Sequence, residues 1–182
     1  RHEQGAIHAA QAYSRVLGRP GVVIATSGPG VSNLITGIMD AHLDSTPIIV
    51  LGGQVSTGSI GKDAFQECDM MGMTNPITKY NFQVHHADDL ARVIDQAFFI
   101  ARTGRPGPVY IDLPKDVQLQ RSHRLAPGPM DLPCYAATRS PDPAQLDRAA
   151  QLIRKAARPL LIIGQGAVLA GATDALGAFA RE

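Results

Sequence analysis

The chain has 182 residues, 45% of them hydrophobic, and 17 Lys and Arg against 16 Asp and Glu give a formal net charge of +1. Apolar content at this level supports a packed core and excludes a disordered chain. The lack of clustered Lys or Arg excludes an electrostatic nucleic-acid surface, and no apolar run approaches the ~20 residues of a membrane helix. The two cysteines, Cys68 and Cys134, lack metal-ligand spacing and read as free thiols of a reducing compartment.

In chain order, Ala6, Ala10, Tyr13 and Leu17 recur at steps of four and three, which predicts a helix over 4–17 ended by Gly18. GVVIAT (21–26) is a continuous β-branched run, the pattern of a parallel strand buried on both faces. SGPG (27–30) breaks it, and a second helix follows with Leu34, Ile38 and Ala41 on one face. PIIVLGG (47–53) reads as another buried strand, 55–66 as a polar loop, and 78–84 as a third strand. Asp88 is placed to cap a long helix carrying Leu90, Ile94, Ala97, Phe98 and Ala101, which Gly104 ends. RPGPVYIDLP then supplies a turn, a buried strand and a proline stop.

From 121 the texture changes. Pro127, Pro129, Pro133, Pro141 and Pro143 punctuate a stretch without periodicity, as in an inter-domain linker. Asp142-Pro143 is a helix start, PLLIIGQGA (159–167) reads as a strand entering a glycine turn, and 174–180 as a helix. Strands alternating with helices predict an α/β fold with a parallel sheet covered by helices on both faces. The expected boundaries are a first domain over 1–122, a Pro-rich linker over 123–141 and the start of a second α/β domain over 142–182.

Taken singly, the chemistry-bearing residues leave two readings open. Glycines after a parallel strand let backbone approach a ligand at the sheet's carboxyl edge. SGPG nevertheless departs from the dinucleotide fingerprint, lacks the phosphate-binding lysine, and could be a plain tight turn. Glu3 could be a helix-start charge, His2, His8 and His42 form no metal-like grouping, and His85-His86 reads as a solvated strand end. DAFQECD sets Phe65 among polar residues, as in a loop that folds over a site or simply packs.

Together, RHEQGA, ATSGPGVSNLITGIMDA, GQVS, DAFQE and GRPGPVYIDLPKDV occur in one order. This set resembles the pyrimidine-binding domain of thiamine-diphosphate enzymes, most closely the catalytic subunit of acetolactate (acetohydroxyacid) synthase. The resemblance is dense over 1–117 and weaker into RPLLIIGQGA, which is similar to the opening of that family's middle domain. It implies that Glu3 hydrogen-bonds and exchanges a proton with the cofactor's aminopyrimidine, with a pKa raised by a poorly hydrated pocket. It implies that Pro29 and Asn33 line the same ring, that Gln66 lies near cofactor and substrate, and that Phe65 lies near substrate and flavin. Lys115 would favour an anionic substrate carboxylate and Arg105 would contact flavin; without the motifs both read as surface charge.

The implied cofactors are thiamine diphosphate, magnesium and FAD, and the implied substrates are pyruvate and a second 2-oxo acid, joined after decarboxylation in branched-chain amino-acid synthesis. A homodimer or larger homo-oligomer with shared active sites, a regulatory subunit, and a cytoplasmic (organellar in a eukaryote) location follow from the same resemblance. The family's G-D-G…N segment, which holds magnesium and diphosphate, is absent from 1–182, as are a first strand and helix expected before Arg1. The expectation is therefore an internal piece of a longer protein, inactive alone. Alternatives are another thiamine-diphosphate carboligase, decarboxylase or oxidase, glyoxylate carboligase being disfavoured by Glu3; a non-catalytic assembly module; and a generic nucleotide-binding α/β protein.

Overall fold

A computed structural model describes residues 2–124, 126–128, 130, 132–133, 135 and 140–181. Cys134 and Pro129 lie outside the described residues. The chain divides into two compact units, Arg1–Tyr135 and Ala136–Glu182.

The first unit holds a four-stranded, wholly parallel sheet. Its strands are β1 (Gly21–Ala25), β2 (Ile48–Gln54), β3 (Tyr80–Gln83) and β4 (Val109–Pro114), in spatial order β1-β2-β4-β3. The helices are α1 (Glu3–Leu17), the single turn α2 (Pro29–Ser32), α3 (Ile35–Leu43), α4 (Met70–Thr74), α5 (Leu90–Arg102) and α6 (Lys115–Leu119). Parallel pairing forces a crossover between neighbouring strands, and the helices supply it. On one face, Ile7 and Ala10 of α1 and Leu34, Ile38 and Ala41 pack on Val23, Ile48, Val50 and the ring of Tyr110. On the other, Val93, Ala97 and Ile100 of α5 pack on Ile49, Val109 and Ile111.

Three expectations are corrected. The buried face of α1 is Ile7, Ala10, Gln11 and Ser14, whereas Ala6, Tyr13 and Leu17 are exposed. Gln11 and Ser14 tolerate burial because Gln11 Nε2 donates to the Gly37 carbonyl and Ser14 Oγ to that of Pro47, each at 2.9 Å. β1 is not buried on both faces: among the described residues it is the edge strand, pairs only with β2, and leaves Val22 48% and Ile24 72% exposed. Asp88 does not cap α5. Its carboxylate accepts from Ser122 Oγ and the His123 amide, and a short 3-10 turn (Ala87–Asp89), with His86 Nδ1 accepting from the Asp88 amide, leads into the helix.

The proline-rich stretch begins as part of the first unit. Leu132 and Tyr135 pack against the α5 core, and the Tyr135 hydroxyl donates to the Thr103 carbonyl at 2.8 Å. Lys79 Nζ, 5.4 Å from the Tyr135 ring centre, donates to the carbonyls of Ile100 and Thr103 at the end of α5. A cation there complements the helix dipole and satisfies carbonyls that the helix leaves free.

The second unit holds α7 (Pro143–Lys155), α8 (Gln165–Leu169) and α9 (Thr173–Phe179). Asp142 caps α7 as its sequence predicts, accepting from the Ala144 amide at 2.9 Å. PLLIIGQGA does not form a strand: 159–164 is irregular, and Leu160 and Ile162 are exposed. A parallel strand needs neighbours for its backbone groups, and the described residues of this unit hold none. Among the described residues no helix is long and apolar enough to cross a membrane.

Candidate functional site

The site lies at the carboxyl ends of the strands, the edge at which open α/β sheets present ligand-binding turns. Helix α1 leads into β1 and runs back along it, so the first turn of α1 sits beside the turn that leaves β1. Glu3 heads that helix, where a carboxylate suits the exposed amides. Asn33, the residue following α2, donates from Nδ2 to Glu3 Oε2 at 3.0 Å. Oε1 lies against Gly30, where a Cβ would come within 3.6 Å of it. The Asn33 hydrogen bond holds the Glu3 carboxyl below the ordinary carboxylate range, helped by a backbone amide and by His2; burial opposes them and loses. The expected raised pKa is therefore not met in this chain, because the carboxyl is only partly buried and carries a donor.

The far side of the same turn meets a different arm. Gly28 adopts φ 64°, ψ −116°, a conformation closed to side-chain-bearing residues. A Cβ there would stand 2.9 Å from both Cα and carbonyl oxygen of Gln66. The turn 26–30 thus touches Glu3 on one side and Gln66 on the other, and Pro29 forms the first residue of α2 between them.

Phe65, Gln66 and Lys115 line one open cleft of about 630 Å³, with Thr26, Ser27 and Gln54 contributing to its wall. Phe65 is 90% exposed, and Lys115 begins α6, directly after β4. Gln66 itself holds φ 63°, uncommon for a residue with a side chain and a strain of the kind that gathers at functional sites. Arg105 is not brought to this cleft. It precedes β4, at the opposite edge of the sheet, where its guanidinium donates to Ser45 Oγ at 2.8 Å and to the Leu43 carbonyl at 2.9 Å.

Beneath the loop lies a buried polar group. Asp112 of β4 is wholly buried; Tyr110 Oη donates to its Oδ1 at 3.0 Å and Gln83 Nε2 to its Oδ2 at 2.8 Å. Burial pushes the Asp112 carboxyl up, against the hydrogen bonds from Gln83, Tyr110 and Gln54 that pull it down. Gln54 also closes the loop's two ends, with Oε1 accepting from the Val55 amide at 2.8 Å and Nε2 donating to the Cys68 carbonyl at 2.9 Å. Burial raises the Cys68 thiol, with Asp69 and Asp112 adding to it, and its side chain packs against the core beside Met70 and Met71. Sequence patterning passed over Gln54, Thr57, Glu67, Asp112 and Asp116. Gln54, Glu67, Asp112 and Asp116 lie inside the motifs GQVS, DAFQE and GRPGPVYIDLPKDV, but spacing alone cannot tell their roles from those of solvated polar residues.

Residues 1–73 match the family described as thiamine pyrophosphate enzyme, N-terminal TPP binding domain. The chain is 49% identical over 181 residues to the acetolactate synthase large subunit of Corynebacterium glutamicum, covering 100% of this chain and 29% of that relative. Identity is 46% over 182 residues to the acetolactate synthase large subunit of Lactococcus lactis subsp. lactis, covering 100% of this chain and 32% of the relative. A probable acetolactate synthase large subunit of Methanocaldococcus jannaschii is 48% identical over 179 residues, covering 97% of this chain and 30% of its own length. The chain thus spans about a third or less of the relatives it matches. The glutamate, the SGPG turn and Asn33 all fall inside the matched TPP binding segment; Lys115 and Arg105 fall beyond it.

Proposed function

We propose that this chain supplies the pyrimidine-binding half of a thiamine-diphosphate site, in an acetolactate synthase that decarboxylates pyruvate and joins the remaining two carbons to a second 2-oxo acid. The observation that carries this is the Glu3–Asn33 pair set against the SGPG turn at the carboxyl edge of a parallel sheet. The residues fit the aminopyrimidine ring: one carboxylate oxygen is fixed by an amide and the other is left for a ligand N–H, beside the close-approaching backbone of Gly30.

When bound, thiamine diphosphate supplies the electron sink that carbon–carbon cleavage next to a carbonyl requires. Glu3 would take and return a proton at Oε1, and Asn33 would keep that oxygen aimed. The aminopyrimidine ring packed over Glu3 would exclude water and lift its carboxyl from the depressed range toward neutrality. Lys115 would balance the charge of a 2-oxo acid's carboxylate. Gln66 offers an amide to the same substrate, and the exposed ring of Phe65 would cover it.

Magnesium and flavin stand differently. Magnesium for the diphosphate would be held outside residues 1–182, which lack the family's G-D-G…N segment. Arg105 precedes β4, away from the cleft that Phe65 lines, and its guanidinium is engaged by the end of α3, so within one copy of this chain the two residues do not converge on one flavin. A second copy of the complete protein, bringing the diphosphate-binding half from outside residues 1–182, completes the site in this proposal, and a regulatory subunit would act on that assembly.

The test uses the complete protein that carries this sequence, with thiamine diphosphate, magnesium and pyruvate. Release of carbon dioxide with formation of 2-acetolactate is expected. Carbon dioxide with a free aldehyde and no acetolactate would favour a decarboxylase, and no turnover of pyruvate would refute the proposal.

A further inference from the structure

The loop joining β2 to α4 carries Phe65 and Gln66, and its shape is set by two carboxylates outside the pattern of candidate ligands. Gly61, Asp63 and Gln66 all hold positive φ, at 78°, 55° and 63°. Such a run is stable only if the surroundings over-determine it. Glu67, half-buried at the end of the run, does so from inside: its carboxylate accepts from the amides of Gly61 and Ala64, the latter at 2.9 Å. The loop therefore curls round the side chain that follows Gln66, and Gln66 is pinned between that curl and the backbone of Gly28.

The second carboxylate ties the near end of the loop to the other wall of the cleft. Asp116 Oδ1 accepts from the Thr57 amide at 3.0 Å and Oδ2 from the Thr57 hydroxyl at 2.6 Å. Asp116 is the residue after Lys115, so this two-bond clamp joins the Phe65–Gln66 arm to the turn that presents Lys115. Charge-assisted bonds of this kind are the strong ones. Neither carboxylate lines the 630 Å³ cleft. Both act on residues that do.

We infer that Glu67 and Asp116 are positioning residues, which hold Phe65 and Gln66 at a set distance from Lys115 and so shape the cleft for a small 2-oxo acid. The substrate class rests on the function proposed above; the bracing rests on the geometry alone.

Two readouts separate these. In the complete protein, amide hydrogen exchange over 57–67 should quicken by about tenfold or more in Glu67→Gln and in Asp116→Asn, as expected for loss of a hydrogen bond to a charged group. Exchange in β2 and β4 should not change. The Michaelis constant for pyruvate should rise by about three- to tenfold, with thiamine diphosphate affinity within about twofold of the parent. Thr57→Val removes the hydroxyl alone and serves if a carboxylate variant fails to fold. Combined with Asp116→Asn it should add little, because both act through one clamp, and Thr57→Ser should restore the parent values. Unchanged exchange over 57–67 overturns the inference. A loss confined to thiamine diphosphate affinity overturns it as well. Faster exchange with an unchanged pyruvate constant upholds the bracing and refutes the substrate role given to Gln66.

Discussion

Gly28→Ala is the most discriminating perturbation of the turn that links the two arms of the site. Two penalties combine there. The backbone sits at φ 64°, ψ −116°, where a residue with a Cβ pays about 1–3 kcal/mol of strain. The new methyl would also stand 2.9 Å from the Gln66 Cα and carbonyl oxygen, and must open to at least 3.4 Å before the contact is ordinary. The obstacle is backbone on both sides, so no rotamer relieves it; the exposed loop has to retreat by about half an ångström, or the turn has to change its φ. The expected loss is about 2–4 kcal/mol of domain stability, since the strain and part of the contact are both carried by the folded state. Urea unfolding should show a lowered midpoint with an unchanged slope, and hydrogen exchange should quicken over 64–67. Gly58→Ala, at a position with normal φ and nothing within 4 Å of its Cβ, is the matched control and should lie within about 0.5 kcal/mol of the parent. A Gly28→Ala protein as stable as that control, with unchanged exchange in the loop, would refute the close approach of the two arms.

Further outcomes follow from the packing and the charges. Gly37→Ala would place a Cβ 2.2 Å from Ile7 Cγ2 and should destabilise by about 1–3 kcal/mol; Ile7→Ala in the same chain should recover part of that loss, seen as a positive coupling in urea unfolding. Lys79→Met removes the cation that serves the last carbonyls of α5 and should lower stability by about 1 kcal/mol while speeding exchange near 132–135, measured by mass spectrometry. Asp88 is held below the ordinary range, first by the His123 amide and then by Ser122, so the unfolded chain binds the proton more readily. Stability should then fall as pH drops below about 4, and Asp88→Asn should flatten that slope in urea titrations at a series of pH values.

The parallel strands were legible because GVVIA, IIVLG and VYIDL are short β-branched runs bounded by glycine and proline, and all four strands, β3 included, sit where the sequence places them to within a residue or two. What patterning could not see was context. Val22 and Ile24 are as apolar as Ile49 and Val50, but only position in the strand order decides that the former face solvent. The buried face of α1 was misjudged because Gln11 and Ser14 are polar by letter and satisfied by carbonyls from distant segments. Leu160–Ile163 reads as a strand, and among the described residues of its unit there is no strand for it to pair with. Glu3, Asn33 and Gln66 are named as candidates from the order of motifs, and the structure gathers them around one turn. Glu67 and Asp116 were not found, since a carboxylate that accepts backbone amides looks in sequence like any other surface acid.

The proposed site depends on Glu3 acting as a proton carrier toward a pyrimidine ring. In the complete protein loaded with thiamine diphosphate and magnesium, the measurement is the rate of hydrogen–deuterium exchange at the thiazolium carbon of the bound cofactor, followed by NMR in the parent and in Glu3→Gln. Substitution should slow that exchange by on the order of a hundredfold or more, the scale of a lost general acid–base group, while the cofactor stays bound. An exchange rate equal to the parent's, with the cofactor bound, would contradict the assignment of this glutamate and of the site built around it.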